Sequence, residues 1–161
     1  MEKATFAAGC FWHVEEEFRK IKGVIDAKAG YTGGNIPEPR YEIVCTDKTG
    51  HAEAVDIIFD PKIISYEQLL EVFWSIHDPT QLNMQGADIG TQYRSAIFYR
   101  DEKQKKSAEK SKREKQKNHD KKIMTEVVSA KEFYKAEEYH QRYMEKKKDN
   151  PVYNMMNWFK G

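Results

Sequence analysis

The sequence predicts an α/β (α+β) fold: a ferredoxin-like, split βαβ mixed sheet with flanking helices, closed by a coil C-terminal tail. Three observations carry that reading. Short apolar runs alternate with stretches of helical periodicity in the order strand, helix, strand, extended run, helix, strand. The 161 residues suffice for one real core and are too few for two, so residues 1–161 are expected to form a single domain. A content of 39% hydrophobic and 12% aromatic residues lies inside the globular range.

Thr5-Phe6-Ala7-Ala8 is a strand-like run ended by Gly9. After it Phe11, Val14, Phe18 and Ile21 recur at helical spacing, and Gly23 closes that helix. Residues 24–31 resume as a strand before the turn-rich stretch 32–40, with its Gly33-Gly34 pair. Tyr41 to Cys45 and His51 to Phe59 then read as two extended runs around Thr46 to Gly50, a hairpin by its turn chemistry. Ser65 is an N-cap for a helix carrying Leu69, Leu70, Phe73, Trp74 and Ile76, which stops near His77-Asp78-Pro79. The irregular stretch 78–92 exceeds the roughly 12 residues beyond which a loop is usually functional. A strand at 95–99, a helix at 101–122, a strand at 123–128 and a helical segment at 136–147 follow, and the tail 150–161 reads as coil.

Charge and cysteine usage narrow the function. The segment 101–122 holds ten Lys or Arg against five acids, but the two signs are mixed around the helix and no aromatics are interleaved. It reads as a solvated face, and no nucleic-acid partner is expected. The scattered histidines lack metal-ligand spacing, so no metal is expected, and His140 reads as a packing or surface residue. No apolar run approaches the roughly 18 residues of a membrane span, which makes the cytoplasm the default location. Two cysteines, Cys10 and Cys45, do not make a disulfide scaffold.

Cys10 falls where the first helix begins, facing unpaired N–H groups and the positive end of the helix dipole, which would lower its pKa and favour the nucleophilic thiolate. A small buried packing residue is the alternative. Phe11 and Trp12 follow, and three consecutive large residues cannot share one helical stripe. Trp12 is therefore expected to leave it and flank the thiol, or else to pack under the tail. Strict alternation puts Glu53 on one face with Val55, Ile57 and Phe59, where an unpaired carboxyl would have a raised pKa and could donate a proton near neutrality. The other reading pairs it with His51.

Gly9-Cys10-Phe11-Trp12, Gly30-Tyr31-Thr32-Gly33-Gly34, Thr49-Gly50-His51-Ala52-Glu53-Ala54-Val55, His77-Asp78-Pro79-Thr80 and the run Gln85 to Ser95 stand in this order. With these motifs the chain, from about residue 3 to residue 145, closely resembles the A-type peptide methionine sulfoxide reductases. The resemblance implies thiol-dependent reduction of methionine S-sulfoxide, free or protein-bound, through a cysteine sulfenic acid. Cys10 would be the nucleophile and Glu53 the acid. Tyr41 and Tyr93 would hydrogen-bond the sulfoxide oxygen or the acid, Phe11 and Trp12 would cradle the methyl, and Asp88 would anchor the substrate amide. No cofactor would be bound, the reductant would be thioredoxin or another external dithiol, and a monomer would suffice. A peroxide-reducing thiol protein would have no need of Glu53, and an RNA-binding sheet no need of Cys10.

The chain departs from the family at His13, Met84 and, above all, in having no cysteine after Cys45. Cys45 is the only internal candidate for resolving the sulfenic acid. On a regular strand it would lie about 13 Å from Tyr41, which favours a buried structural thiol, with the external dithiol acting on Cys10 directly.

Overall fold

The computed structural model describes residues 1–148. The coil expected over 150–161 lies outside the described residues. Strand β1 (Glu2–Ala8) leads into helix α1 (Phe11–Arg19) and strand β2 (Val24–Thr32); strand β3 (Ala52–Phe59) is followed by helix α3 (Tyr66–Ser75) and strand β6 (Ser95–Tyr99). A short helix α2 (Tyr41–Val44) precedes β3, and a two-stranded ribbon of β4 (Met84–Gln85) and β5 (Asp88–Ile89) precedes β6. Helix α4 (Glu102–Gln116), strands β7 (Glu126–Ser129) and β8 (Tyr134–Lys135) and helix α5 (Tyr143–Lys148) complete the order.

The main sheet runs β7-β6-β1-β3-β2-β8. β3 is antiparallel to both β1 and β2, so β1 and β2 run parallel with β3 inserted between them. β1 likewise separates β3 from β6. Two split βαβ units share one sheet, as expected, and α4 adds β7 parallel to β6 at one edge.

Apolar spacing decides which face is thick. Phe11, Val14 and Phe18 of α1 and Leu69, Leu70 and Phe73 of α3 are buried against Phe6, Val55, Ile57 and Phe59 of the sheet. Phe6 is the hub, stacked on Phe18 and Phe73 at 5.3 Å each and on Tyr66 at 6.0 Å. The opposite face is mostly alanine, with Ala7, Ala52, Ala54, Ala96 and Phe98 covered by Ala130 and Phe133. Ser65 caps α3 as expected, within a full capping box with Gln68.

The hairpin expected between residues 41–45 and 51–59 does not form. Both edges of β3 are taken by β1 and β2, leaving no ladder for residues 41–45 to join. They coil into α2 instead, with the N–H groups of Ile43 and Val44 donating to Arg40 O, and Val44 turned inward. The helical segment expected over 136–147 is divided into a 3-10 turn at Glu138–His140 and α5.

Phe6→Ala should lower unfolding free energy in urea by about 3–5 kcal/mol, from lost burial plus a cavity. Ser65→Ala should cost about 1 kcal/mol through the lost cap. Equal, small losses would displace Phe6 from the centre of the core.

Candidate active site

The end of β1 and the start of α1 place the nucleophile. Gly9 makes the turn with φ +95°, where a Cβ would also meet the Gln85 side chain at 2.9 Å. Cys10 is the N-cap of α1 without a side-chain cap hydrogen bond, and the nearby N–H groups of Trp12 and His13 favour its thiolate. Those amides act in the direction expected of a helix start, but burial outweighs them. Desolvation, with Glu53 and Asp88 adding to it, pushes the Cys10 thiol up to about 12. The resting thiol is neutral, which corrects the expectation of a standing thiolate.

Glu53 stands in β3 opposite Tyr31 of β2 and is 1% exposed. Its Oε1 accepts the Phe11 N–H at 3.3 Å, one residue beyond the nucleophile. Its Oε2 is buried without a hydrogen-bond partner among the described residues. Burial raises its pKa to about 8, against the Phe11 hydrogen bond, which lowers it. The pairing with His51 is absent: that ring accepts the Gly34 N–H at 3.1 Å and meets Ile36 O at 2.7 Å, which fixes the loop before β3.

Tyr41 and Tyr93 arrive on separate segments. Asp47, just past α2, accepts the Thr91 N–H at 2.8 Å, tying the α2 loop to the turn that ends in Tyr93. Tyr93 feels Glu53, Asp88, Cys45 and Cys10, and burial first, then those groups, raise its pKa to about 12. Tyr41 has its hydroxyl hydrogen-bonded to Cys45 and is raised chiefly by burial. Neither hydroxyl bonds Glu53. Asp88, in the β4–β5 ribbon, joins Cys10, His13, Glu17 and Gln85 in lining a cleft of about 240 Å³.

Cys45 differs from its expectation twice. It follows α2 rather than lying on a strand, so it meets Tyr41 one helical turn away instead of about 13 Å off. It is also exposed, not buried. Burial of its sulfur, opposed by the Tyr41 hydrogen bond, still raises its pKa.

The two aromatics after Cys10 part company. Phe11, 1% exposed, lies between Tyr31 at 5.6 Å and His140 at 5.0 Å. Trp12 leaves the buried stripe and stays half-buried, stacked on Tyr143 of α5 at 3.8 Å. Its Nε1–H donates to His140 Nδ1 at 2.9 Å. His140 is fully buried, and Tyr41 lies 4.4 Å from its ring. The sequence reads His140 as a packing or surface residue, of which the structure shows the packing one, and gives no sign of Glu137. The latter's carboxylate accepts the Tyr31 hydroxyl at 2.9 Å and the Tyr41 N–H at 3.0 Å. No local periodicity marks either residue; the signal is a contact across about 100 residues of chain. Among the described residues no group of three or more His, Cys, Asp or Glu could hold a metal ion, and no helix is long and apolar enough to cross a membrane.

A family model described as peptide methionine sulfoxide reductase matches residues 2–160. The peptide methionine sulfoxide reductase MsrA of Methanosarcina acetivorans is 60% identical over 149 residues, covering 91% of this chain and 79% of its own. Among solved structures, Mxr1 from Saccharomyces cerevisiae in reduced form superposes with a TM-score of 0.86 at 40% identity, over 90% of this chain and 84% of that one. The same yeast protein in complex with Trx2 superposes with a TM-score of 0.64 at 30% identity, over 88% of this chain and 84% of that one.

A neutral resting thiol has a direct signature. Alkylation of Cys10 by iodoacetamide, followed by peptide mass spectrometry, should still be accelerating at pH 9, as expected for a thiol whose midpoint is about 12. A midpoint near pH 7 would mean that the helix start prevails over burial.

Proposed function

The chain belongs to the peptide methionine sulfoxide reductase family, and on that premise we propose that Cys10 and Glu53 carry its reaction, the reduction of methionine S-sulfoxide to methionine. The observation that supports this most is the Glu53 carboxyl, kept protonated to about pH 8 with one oxygen unpartnered, its other oxygen held by the amide next to the nucleophile.

A sulfoxide sulfur is a weak electrophile until its oxygen takes up a proton. Glu53 supplies that proton to the oxygen as Cys10 Sγ attacks the sulfur, and the resulting carboxylate takes the thiol proton. The sulfur–oxygen bond breaks, the oxygen passes to Cys10 as a sulfenic acid, and the thioether of methionine leaves. A neutral thiol and a neutral acid are thus the competent pair. Tyr41 and Tyr93 hold the oxygen, Trp12 packs on the methyl with Phe11 beneath, and Asp88 at the cleft takes the substrate amide. These three subsites suit one sulfur configuration.

Cys45 resolves the sulfenic acid. Its sulfur attacks that of Cys10, water leaves with the oxygen, and a disulfide remains. Exposure of Cys45 and its link through Tyr41 to the Glu53–Tyr93 neighbourhood support this. A thioredoxin-like dithiol then reduces the bridge, a role supported by the yeast relative solved with Trx2. The protein works in the cytoplasm as a monomer, on oxidised proteins or free methionine sulfoxide, with no metal or bound cofactor, and residues 1–161 act as one catalytic domain.

Reduced protein mixed with S-sulfoxide and no reductant should yield about one methionine per chain and lose about 2 Da. A gain of about 16 Da, trapped by dimedone at Cys10, would remove Cys45 from the cycle. No methionine from either epimer would overturn the reductase reading.

Under single-turnover conditions, kcat/KM should be level below pH 8 and fall above it, because the raised pKa of Glu53 leaves its proton in place until then. A rate that climbs through pH 8 would show that the thiolate is required instead. Glu53→Gln should slow reduction by about 10²–10⁴-fold and leave alkylation of Cys10 nearly unchanged.

A further inference from the structure

We infer that His140 is a positioning residue that sets the methyl subsite by holding the Trp12 indole through its N–H. The inference rests on the reading above that Trp12 packs on the substrate methyl. His140 is 0% exposed, and its Nδ1 accepts the indole N–H at 2.9 Å. That bond leaves the ring proton on Nε2, which is buried without a protein partner among the described residues. Burial lowers the pKa of this histidine, with Glu137 acting the other way, so the ring stays a neutral acceptor. Tryptophan needs such an acceptor, because an indole N–H is a donor only.

The imidazole is itself immobilised from both sides. Gln141 hydrogen-bonds the backbone of Ala29 in β2 through both ends of its amide, at 2.9 and 2.8 Å, and reaches Ala136 O at 2.9 Å. The Arg142 N–H donates to Glu15 of α1 at 2.6 Å. His140 therefore sits in a turn pinned to the sheet and to the helix that begins beside Cys10. Its ring packs on Phe11 at 5.0 Å and on Tyr41 at 4.4 Å, so one side chain touches both sides of the proposed substrate site. Stacking on Tyr143 restrains the indole plane, while the His140 bond fixes the rotation within that plane. A subsite wall held in both ways can discriminate a methyl from an ethyl group by shape.

Two variants separate positioning from bulk packing. His140→Asn keeps an acceptor near the place of Nδ1, whereas His140→Leu fills the space without one. Each is assayed with N-acetylmethionine S-sulfoxide and its ethionine analogue, and the Trp12 indole N–H is followed in a ¹H–¹⁵N spectrum. The Leu variant is expected to raise KM about tenfold with a smaller change in kcat, and to lower the methyl-over-ethyl preference by a similar factor. Its Trp12 indole resonance should move upfield. The Asn variant should recover the preference and the resonance to within about threefold and near-native shift. If Asn and Leu behave alike, or Leu leaves both preference and resonance intact, the inference is overturned. Should the Leu variant fail to fold, Trp12→Phe replaces it: with no indole N–H to hold, His140→Asn in that background should change the preference no further, and a further loss overturns the inference. Absence of methionine formation by the wild-type protein would instead indict the reductase reading, since the resonance tests the His140 bond independently.

Discussion

The hydrogen bond from the Phe11 N–H to Glu53 Oε1 joins the two halves of this structure on which the rest depends. It connects the start of β3, where Glu53 is paired with Tyr31 of β2, to the first turn of the helix that begins at the nucleophile, and it buries a carboxyl group in doing so. Burying a charged carboxylate there, with a single hydrogen bond, would be costly, and the group keeps its proton instead. A fold that puts an acid there obtains a proton donor as a consequence of its packing.

The same burial acts on the cysteine. A helix start stabilises a thiolate only to the extent that the sulfur is reached by solvent or by donors, and two backbone amides do not offset the loss of water around Cys10. Two neutral groups side by side are a quiet resting state: an un-ionised thiol is poorly reactive toward stray electrophiles. In the mechanism proposed here reactivity appears only when a substrate oxygen accepts one proton and frees the other to move.

Around that pair the structure is assembled from distant pieces. Glu137 ties Tyr31 to the start of α2, Asp47 ties the α2 loop to the turn bearing Tyr93, and His140 ties Trp12 to the segment beyond β8. The loops that carry these groups are irregular, yet each is fastened by a specific side chain to the sheet, to α1 or to another of these loops. The glycine turn at Gly9 and the short ribbon bearing Asp88 close the cleft over Cys10.

Periodicity and punctuation alone determined the two split βαβ units. Phe11, Val14 and Phe18 at helical spacing, the alternation from Glu53 to Phe59 and the Ser65 cap are local signals, and local signals suffice wherever one face must be buried, although α1 ends at Arg19 and Gly23 serves the turn into β2 instead of closing the helix. They also put Glu53 on the apolar face, which made its raised pKa legible in advance. Residues 41–45 could not be read in this way, because their apolar pattern suits a strand or a helical turn equally and β3 had no edge left to offer. The neutral state of Cys10, the exposure of Cys45 and the burial of His140 are likewise matters of what surrounds a side chain. Sequence spacing dictates which face a residue occupies; only the closed tertiary structure decides how much water, charge and hydrogen bonding it meets there.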